Sequence, residues 1–258
     1  MSKKAAPVER NKQKPIIRLH LFFATENERA LIVRQGPTLH YRMILWHRDT
    51  DTFEDGQWVK QKVYIERCSL SPDGRHFIYF QLNGRWSSEV RGSFTALSRP
   101  PYWTALSLFP EGDTWGGGGV FLDNVHYWAS GDADIIGRDE GLSRVKLGEP
   151  DKGCTTGIRL LNGQRAPLDR AATRRLLADP PPADKGELFR RMAVPPGDAL
   201  DRYDTMGGKL YRRHGQELEL IRDFTDMEFE PIRAPYDWRE ETKGDGPPPW
   251  HPLDGDSS

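Results

Sequence analysis

A six-residue pattern that occurs twice constrains the fold of this chain more than any other feature. The segment Ser69–Gly74 (SLSPDG) returns 38 residues later as Ser107–Gly112 (SLFPEG). In each copy an apolar run enters a Pro-acid-Gly turn and a second apolar run leaves it, over His76 to Leu82 and over Gly119 to Leu122. Proline presets φ at the second turn position, and glycine relieves strain at the end of the turn. The pattern therefore predicts a β-hairpin that is used as a repeating unit.

Further apolar runs of strand length surround this repeat. Each is short and bounded by glycine, proline or polar residues, as strands usually are. The further predicted strands are Ile16–Phe23, Ala30–Arg34, Tyr41–His47, Ser93–Ser98, Tyr102–Phe109 (which enters the second copy of the repeat), Gly157–Leu161, Gly208–Arg213, Glu217–Arg222 and Met227–Ile232. Phe77 and Tyr79 alternate with Ile78 and Phe80, and apolar residues on both faces are typical of a strand that is covered on both sides. The expected fold class is all-β and mainly antiparallel.

Three other segments depart from this strand pattern. Residues 1–15 are predicted to form a flexible basic arm, residues 16–239 a single β-rich domain, and residues 240–258 a disordered tail of proline, glycine and acidic residues. Apolar residues recur at helical spacing over Pro167–Ala178, where Pro167 suits the first turn, and Asp184–Ala193 is a second helix candidate. The domain is therefore predicted to carry a helical insertion near residues 167–193.

Composition and charge argue against several classes of function. Lys and Arg number 37 against 38 Asp and Glu, so no overall field favours a nucleic acid or an acidic surface as partner. The two cysteines, Cys68 and Cys154, are too few for a disulfide framework or a zinc site, and Cys68 is predicted to be a buried free thiol. No stretch approaches the roughly 18 to 20 apolar residues of a membrane span, and the N-terminus does not resemble a signal peptide. We expect a soluble, cytoplasmic protein without a membrane contact.

The repeat resembles the blades of β-propellers of the TolB-like or WD40-like type. Its spacing is close to the roughly 40 residues of a four-stranded blade, and Ser71-Pro72-Asp73-Gly74 resembles the turn between the first two strands of such a blade. The His-Asp and Trp-Asp marks of WD40 blades are missing. The resemblance implies an irregular or incomplete propeller; a β-sandwich with a helical insertion is the alternative. The run from Asp49 through the four glycines after Trp115 is also similar to bacterial proteins of unassigned function, which implies no activity.

The most concentrated cluster of polar residues in the chain is Asp49–Gly56 (DTDTFEDG). Its carboxylates, Asp49, Asp51, Glu54 and Asp55, are oxygen ligands that could surround a hard cation such as calcium. The EF-hand order is absent, because Phe53 stands where that loop needs a ligand. The alternative is a solvated loop in which Asp and Thr side chains hydrogen-bond the local backbone. No cofactor is expected if this second interpretation holds.

Tryptophans beside prolines and glycines are candidates for a binding surface. Trp103 lies two residues after Pro101, and Trp115 precedes four glycines, which allow a tight bend or the close approach of another backbone. This segment is not a phosphate loop, because it lacks the Lys-Ser/Thr pair and a following helix. Trp103, Trp115, Gly117 and Gly118 are therefore candidates for contact with a partner, which we expect to be a protein, or with a small ligand.

Two functions are compatible with these residues. No assembled catalytic motif is present, which favours a non-catalytic binding or scaffold module. The alternative is a metal- or carboxylate-dependent hydrolase built on the Asp49–Asp55 cluster and His47, with His76 or His126 brought in by the fold. Nucleic-acid binding would depend only on local charge, at Lys3–Lys14 and Arg170–Arg191, and is not expected.

Overall fold

A computed structural model describes residues 16–138, 141–146, 157–160, 165–167 and 201–237 of the chain, and their regular structure is almost entirely β. The strands form four sheets, in which strands that follow one another in sequence usually pair antiparallel. The all-β, mainly antiparallel fold class is therefore confirmed. Within these residues no helix is long and apolar enough to cross a membrane.

The first sheet is an antiparallel meander in the order β1-β2-β3-β4. Its strands are β1 (Arg18–Phe23), β2 (Arg29–Gln35), β3 (Tyr41–His47) and β4 (Thr52–Val59). Strand β2 is buried on both faces, because Leu31 and Val33 belong to one hydrophobic core while Ala30 and Ile32 belong to another. The prediction of β3 is confirmed at both ends, and β1 and β2 were predicted with small errors at their ends.

The second sheet contains the first copy of the repeat. Its strands are β5 (Lys62–Val63), β6 (Ser69–Leu70), β7 (Phe77–Leu82), β8 (Ser93–Ser98) and β9 (Ala105–Pro110). Strands β5 and β6 both pair with β7 and are separated by a short 3-10 helix, Ile65–Arg67. Strand β8 pairs with the other edge of β7, and β9 follows β8. Cys68, which precedes β6, is a buried free thiol as predicted, and burial raises its pKa.

The third and fourth sheets complete the described chain. The third consists of β10 (Gly119–Phe121), β11 (His126–Ala129), β12 (Ser143–Lys146), β13 (Gly157–Leu160) and β14 (Arg165–Pro167), and the fourth of β15 (Tyr203–Met206), β16 (Lys209–His214) and β17 (Glu217–Asp223). The pairing of β11 with β12 is parallel, and no other described pair is. The fourth sheet confirms the hairpin predicted around His214 and Gly215.

The sheets stack face to face through shared hydrophobic cores. The fourth sheet packs on the first, where Leu210 and Phe224 join Trp46. The opposite face of the first sheet packs on the second, which contributes Phe77 and Tyr79. Ile78, on the other face of β7, packs in the core that the second sheet shares with the third. The prediction that β7 is covered on both sides is therefore confirmed.

The two copies of the repeat have different structures. Pro72 lies in the tight turn between β6 and β7, where the Gly74 amide donates to the Ser71 carbonyl at 2.9 Å. Pro110 instead ends β9, and the next strand, β10, pairs within another sheet. The hairpin predicted at the second copy is therefore wrong, because residues 111–118 carry the chain from one sheet to the next. The sheets of the described residues do not close into a propeller.

Other predictions differ in local detail. The loop predicted over Asp49–Gly56 is wrong from Thr52 onwards, because those residues pair with β3 as the start of β4. The strand predicted over Met227–Ile232 is wrong, since this segment is held by side chains instead of a backbone ladder: Glu230 pairs with Arg42 at 3.2 Å. Of the helical insertion near 167–193, only Pro167 is described, as the end of β14, and the remainder lies outside the described residues, as do residues 1–15 and 240–258.

Candidate ligand-binding groove

An open polar groove of about 740 Å³ lies where loops from the first three sheets meet. It is lined by Asn27, Glu28, Arg29, His47, Asp49, Asp73, Arg75, His76, Asn124, Val125, Gly141 and Leu142. The loop between β1 and β2, the turn between β6 and β7 and the turn between β10 and β11 each contribute residues. Small-molecule sites are usually concave, with a few polar groups that fix the orientation of the ligand.

The first two of these loops are joined by direct hydrogen bonds. The backbone amides of Thr25 and Glu26 both donate to the Pro72 carbonyl, at 2.9 and 3.1 Å. The Asn27 amide group donates to the Asp73 carbonyl at 2.8 Å. Because two of these bonds run from backbone to backbone, the two loops form one wall whose position does not depend on flexible side chains alone.

The Ser-Pro-Asp-Gly turn is fixed by its own side chains. The Ser71 hydroxyl accepts from the backbone amides of Arg75 and His76, at 3.0 and 2.9 Å, and donates to Asp73 Oδ1 at 2.6 Å. Asp73 Oδ1 also accepts from the Arg75 amide at 3.0 Å. These are the local bonds through which serine and aspartate stabilise turns.

Asn124 connects the third loop to the other two. Its Oδ1 accepts from the Asp73 amide at 2.9 Å, and its Nδ2 donates to Glu26 Oε2 at 2.6 Å. The turn that carries Asn124 is closed by Asp123, which accepts from the amides of Val125 and His126. All three loops are thus joined by hydrogen bonds within the chain, which fix the shape of the groove.

Arg29 is a half-buried cation in the wall of this groove. No carboxylate of the described residues lies within ion-pair distance of its guanidinium. Its aliphatic chain crosses Gly74, where an added Cβ would lie 3.1 Å from Arg29 Cβ and 3.4 Å from Arg29 Cδ. The turn also requires φ of +71° at Gly74, so a glycine serves both the turn and the close approach of Arg29. The neighbouring Arg75 is exposed and lies 3.6 Å from Asp73.

Two of the three carboxylates in the groove already have partners. Glu28 lies 3.1 Å from the guanidinium of Arg48, and Asp73 receives the turn hydrogen bonds. Asp49 is exposed and, among the described residues, has no ion-pair partner. His47 lies 3.0 Å from Glu54. The groove therefore offers one cation and one carboxylate that other protein charges do not engage.

Carboxylates of the Asp49–Asp55 cluster form ion pairs with different residues. Asp51 pairs with Arg212 of β16 at 2.8 Å, and Asp55 pairs with Arg222 of β17 at 2.6 Å. Among the residues described, no three His, Cys, Asp or Glu side chains form a group that could hold a metal ion. Asp49, Asp51, Glu54 and Asp55 therefore do not converge, and calcium binding by them stays a prediction.

The structure separates the two tryptophans that were predicted to make partner contacts. Trp103 is fully buried in the core between the first and second sheets, where it contacts Phe77 and Tyr79. Its backbone carbonyl accepts from the Tyr79 hydroxyl at 2.5 Å. Trp115, in contrast, has 91% of its surface exposed. Trp103 therefore stabilises the fold, and of this pair only Trp115 is accessible to a partner.

The loop that carries Trp115 is held firmly. Asp113 Oδ1 accepts from the amides of Trp115 and Gly116, at 2.9 and 3.0 Å, and the bond from Gly116 is the main reason that the pKa of Asp113 is lowered. Arg67 donates to the carbonyls of Thr114 and Gly116. The exposed indole thus projects from a loop whose backbone is fixed.

Gly117 and Gly118 are buried beneath this loop. A Cβ at Gly117 would lie 2.2 Å from the ring of Phe80, and one at Gly118 would lie 2.5 Å from the Arg67 carbonyl. The close backbone approach that the glycines predicted is therefore present. They allow the loop to pack on β7 and the 3-10 helix.

Only some of the residues predicted to form a hydrolase site lie in the groove. His47, Asp49 and His76 line the groove, whereas Asp51, Glu54, Asp55 and His126 do not. His126 Nδ1 lies 2.8 Å from Asp123 within its own turn. The sequence interpretation did not single out Arg29 or Asn124, and it used Asp73 only as a turn residue. Their role depends on contacts between loops that are far apart in sequence.

The stacked sheets and this groove define an all-β protein with an open polar groove between its loops. No protein-family model, no curated protein and no solved structure matches the chain.

Proposed function

We propose that this chain is a non-catalytic binding module and that its ligand, a small polar molecule, occupies the groove. The observation that carries this proposal is the hydrogen-bonded connection of three loops around a space of about 740 Å³. A site that is already ordered before binding avoids the entropic cost of ordering its loops when the ligand arrives. Its polar lining favours a ligand with hydrogen-bonding groups over an apolar one.

The ion pairs of the acidic cluster support binding over hydrolysis. Paired carboxylates catalyse hydrolysis when two of them face one substrate bond from different environments. Asp51 and Asp55 are instead engaged by Arg212 and Arg222, outside the groove. A hydrolase built on His47, Asp49 and His76 would be revealed by chemical change of the bound ligand. The proposed setting is the cytoplasm, as expected from the sequence.

Backbone amide NMR with a mixture of neutral, cationic and anionic small molecules tests the groove as a ligand site. We expect the amide signals of Asn27, Asp73 and Asn124 to shift with at least one of them, and the spectrum of that molecule to stay unchanged on incubation. Val125→Trp, which narrows the groove, abolishes the shifts.

Leu39→Trp is the matched control, because Leu39 is similarly exposed but lies in the β2–β3 turn, at the other end of β2 from Arg29. If no molecule moves the groove amides, the proposed function is wrong. If a molecule binds and is converted to a product that Val125→Trp no longer makes, the hydrolase alternative replaces the binding module.

A protein partner at the Trp115 loop is a second candidate function. The observation that favours it is the 91% exposed indole on a loop fixed by Asp113 and Arg67. Large aromatic side chains are frequent energetic anchors of protein interfaces. We expect Trp115→Ala to reduce recovery of one stoichiometric partner in quantitative co-purification, whereas Trp86→Ala, at another exposed tryptophan, retains it. Equal recovery by both variants argues against this surface.

A further inference from the structure

We infer that the ligand of the groove carries an anionic group, a carboxylate or a phosphate, which binds the guanidinium of Arg29, together with hydroxyl groups that reach Asp49. This inference rests on the proposed function of the groove and adds the chemical class of its ligand.

The first reason for an anionic ligand group is that Arg29 is partly buried and, among the described residues, has no carboxylate partner. A partly buried guanidinium loses hydration, and this loss is offset in proteins by a carboxylate or another acceptor. The described part of the chain supplies no carboxylate to Arg29, although its aliphatic chain is held in place against Gly74. The planar guanidinium can donate two parallel hydrogen bonds to a carboxylate or phosphate, so an anionic ligand group completes an interaction that the protein leaves open.

The other charged side chains of the groove do not neutralise the positive charge of Arg29. Glu28 is engaged by Arg48, which also donates to the Glu28 and Asn27 carbonyls, at 3.3 and 3.1 Å. Asp73 is engaged by the turn. The second guanidinium near Gly74 belongs to Arg75, whose contact with Asp73 is long, at 3.6 Å. The region around Gly74 is therefore the positive end of the groove.

Asp49 determines the remaining chemistry of the ligand. It lies two residues after His47, in the turn beyond β3, and His47 pairs with Arg29 across β2 and β3. An ionised carboxylate only accepts hydrogen bonds. A ligand that spans from Arg29 to Asp49 therefore needs hydrogen-bond donors at some distance from its anionic group. Sugar phosphates and sugar acids combine these properties in one small molecule.

Four compounds that share the glucose ring separate the contribution of charge from that of the hydroxyl groups. They are glucose 6-phosphate, glucuronate, glucose and protonated glucosamine. Binding is measured by titration while the amide signals of Asn27, Asp73 and Asn124 are followed. We expect both anionic sugars, or one of them, to bind at least about tenfold more tightly than glucose, because hydrogen bonds to charged groups are among the stronger ones in proteins. The comparison of glucose 6-phosphate with glucuronate distinguishes phosphate from carboxylate.

The substitution Arg29→Gln tests whether Arg29 binds the anionic group of the ligand. This variant should lose the advantage of the anionic sugars over glucose, and Arg29→Lys should keep part of it, because the charge remains but the planar pair of donors is lost. Arg18→Gln is the matched control: it removes the same charge from the beginning of β1, whereas Arg29 lies at the other end of the β1–β2 pair. It should bind as the unaltered protein does, and the amide spectrum of each variant reports whether it is folded.

The outcomes separate this inference from the proposed function. If glucose or glucosamine shifts the groove amide signals as strongly as the anionic sugars do, the groove is a ligand site but the anion inference is wrong. The anion inference is also wrong if none of the four sugars shifts these signals while another small molecule does. The same conclusion follows if Arg29→Gln and Arg18→Gln reduce binding equally. If nothing tested moves those amides, the proposed function itself fails.

Discussion

The packing of Gly117 leaves no room for a side chain. Its φ is +87°, and an added Cβ would lie 2.2 Å from two ring atoms of Phe80, a fully buried residue of β7. Gly117→Ala combines the strain of a positive φ with overlap in the core, so we expect it to lower the free energy of unfolding by about 3 kcal/mol. Urea unfolding followed by tryptophan fluorescence measures this loss.

Gly84→Ala is the control for that substitution. Its φ is also positive, at +73°, but nothing lies within 4 Å of the position of an added Cβ. Only backbone strain opposes the new methyl group, and we expect a loss of about 1 kcal/mol. Equal losses at the two positions would show that overlap with Phe80 does not limit the loop.

Glu111 should make stability depend on pH. Burial raises the pKa of its carboxyl, although hydrogen bonds from the Thr95 and Ser130 hydroxyls, at 2.7 and 3.2 Å, act in the opposite direction. Its ionised form is thus less favourable in the folded chain than in the unfolded one. The contribution of Glu111 to stability is therefore greatest below its ordinary pKa of 4.5 and declines as the pH rises through the folded pKa.

Glu111→Gln removes this decline, because an amide does not ionise. We expect its melting temperature, relative to that of the unaltered protein, to rise as the pH is raised from below 4.5 towards neutrality. Thermal unfolding at a series of pH values tests this, with Glu217→Gln, at an exposed position of β17, as the control. A difference between Glu111→Gln and the unaltered protein that stays constant with pH would contradict the explanation.

At the scale of elements, the sequence predicted strands whose own residues are mostly apolar or small. Tyr41–His47 and Ser93–Ser98 are apolar or small along most of their length, and both are strands with the predicted ends. Thr52–Val59 was missed because half of β4 is polar. One of those polar residues, Asp55, pairs with Arg222, and Asp51, just before the strand, pairs with Arg212. Both arginines lie far along the chain, and such contacts leave no local pattern.

The groove was less predictable than the strands. Asp73 lies in a turn that the sequence shows clearly, but its neighbours in space, Asn27 and Asn124, are polar loop residues of a common kind. Arg29 acquires its position from Gly74, which the sequence explains as a turn glycine alone. What assembles the site is the stacking of sheets, and this brings loops together irrespective of their spacing in sequence.

Gln57 fixes the position of β4 relative to the segment that leads into β9. Its Oε1 is fully buried and accepts from the Trp103 amide, the Thr104 amide and the Thr104 hydroxyl, at 2.8, 3.0 and 3.1 Å. Gln57→Leu leaves buried donors without an acceptor, so we expect a loss of about 3 kcal/mol in guanidinium unfolding. Gln61→Leu, which removes one hydrogen bond at a half-buried position, should cost less, and an equal loss would contradict this role.

At the scale of the whole molecule, the first sheet is an inner layer. The fourth sheet covers one of its faces and the second sheet covers the other, so the beginning and the end of the described chain share one core. A sheet that is buried on both faces cannot separate from its neighbours without exposing two apolar surfaces. The described sheets should therefore unfold in a single cooperative step.

Arg34 provides the most direct test of this arrangement. It is almost fully buried, lies over Trp58, and donates to the carbonyls of Phe224, Gly36 and Thr225, at 2.7, 2.5 and 3.2 Å. Two of these acceptors follow β17, so one side chain of the first sheet binds the backbone that leaves the fourth. A lysine keeps the charge, but its single ammonium lacks the planar, forked donors that reach three carbonyls.

We therefore expect Arg34→Lys to lower the free energy of unfolding by about 3 kcal/mol, because buried carbonyls are left without donors. Arg213→Lys, at an exposed position of β16 that pairs with Asp204, should cost less than about 1 kcal/mol. Denaturant unfolding is followed by tryptophan fluorescence and by far-ultraviolet circular dichroism, and the two transitions should coincide in both variants. Separate transitions in Arg34→Lys would show that the fourth sheet is held to the first by this side chain and not by their shared core.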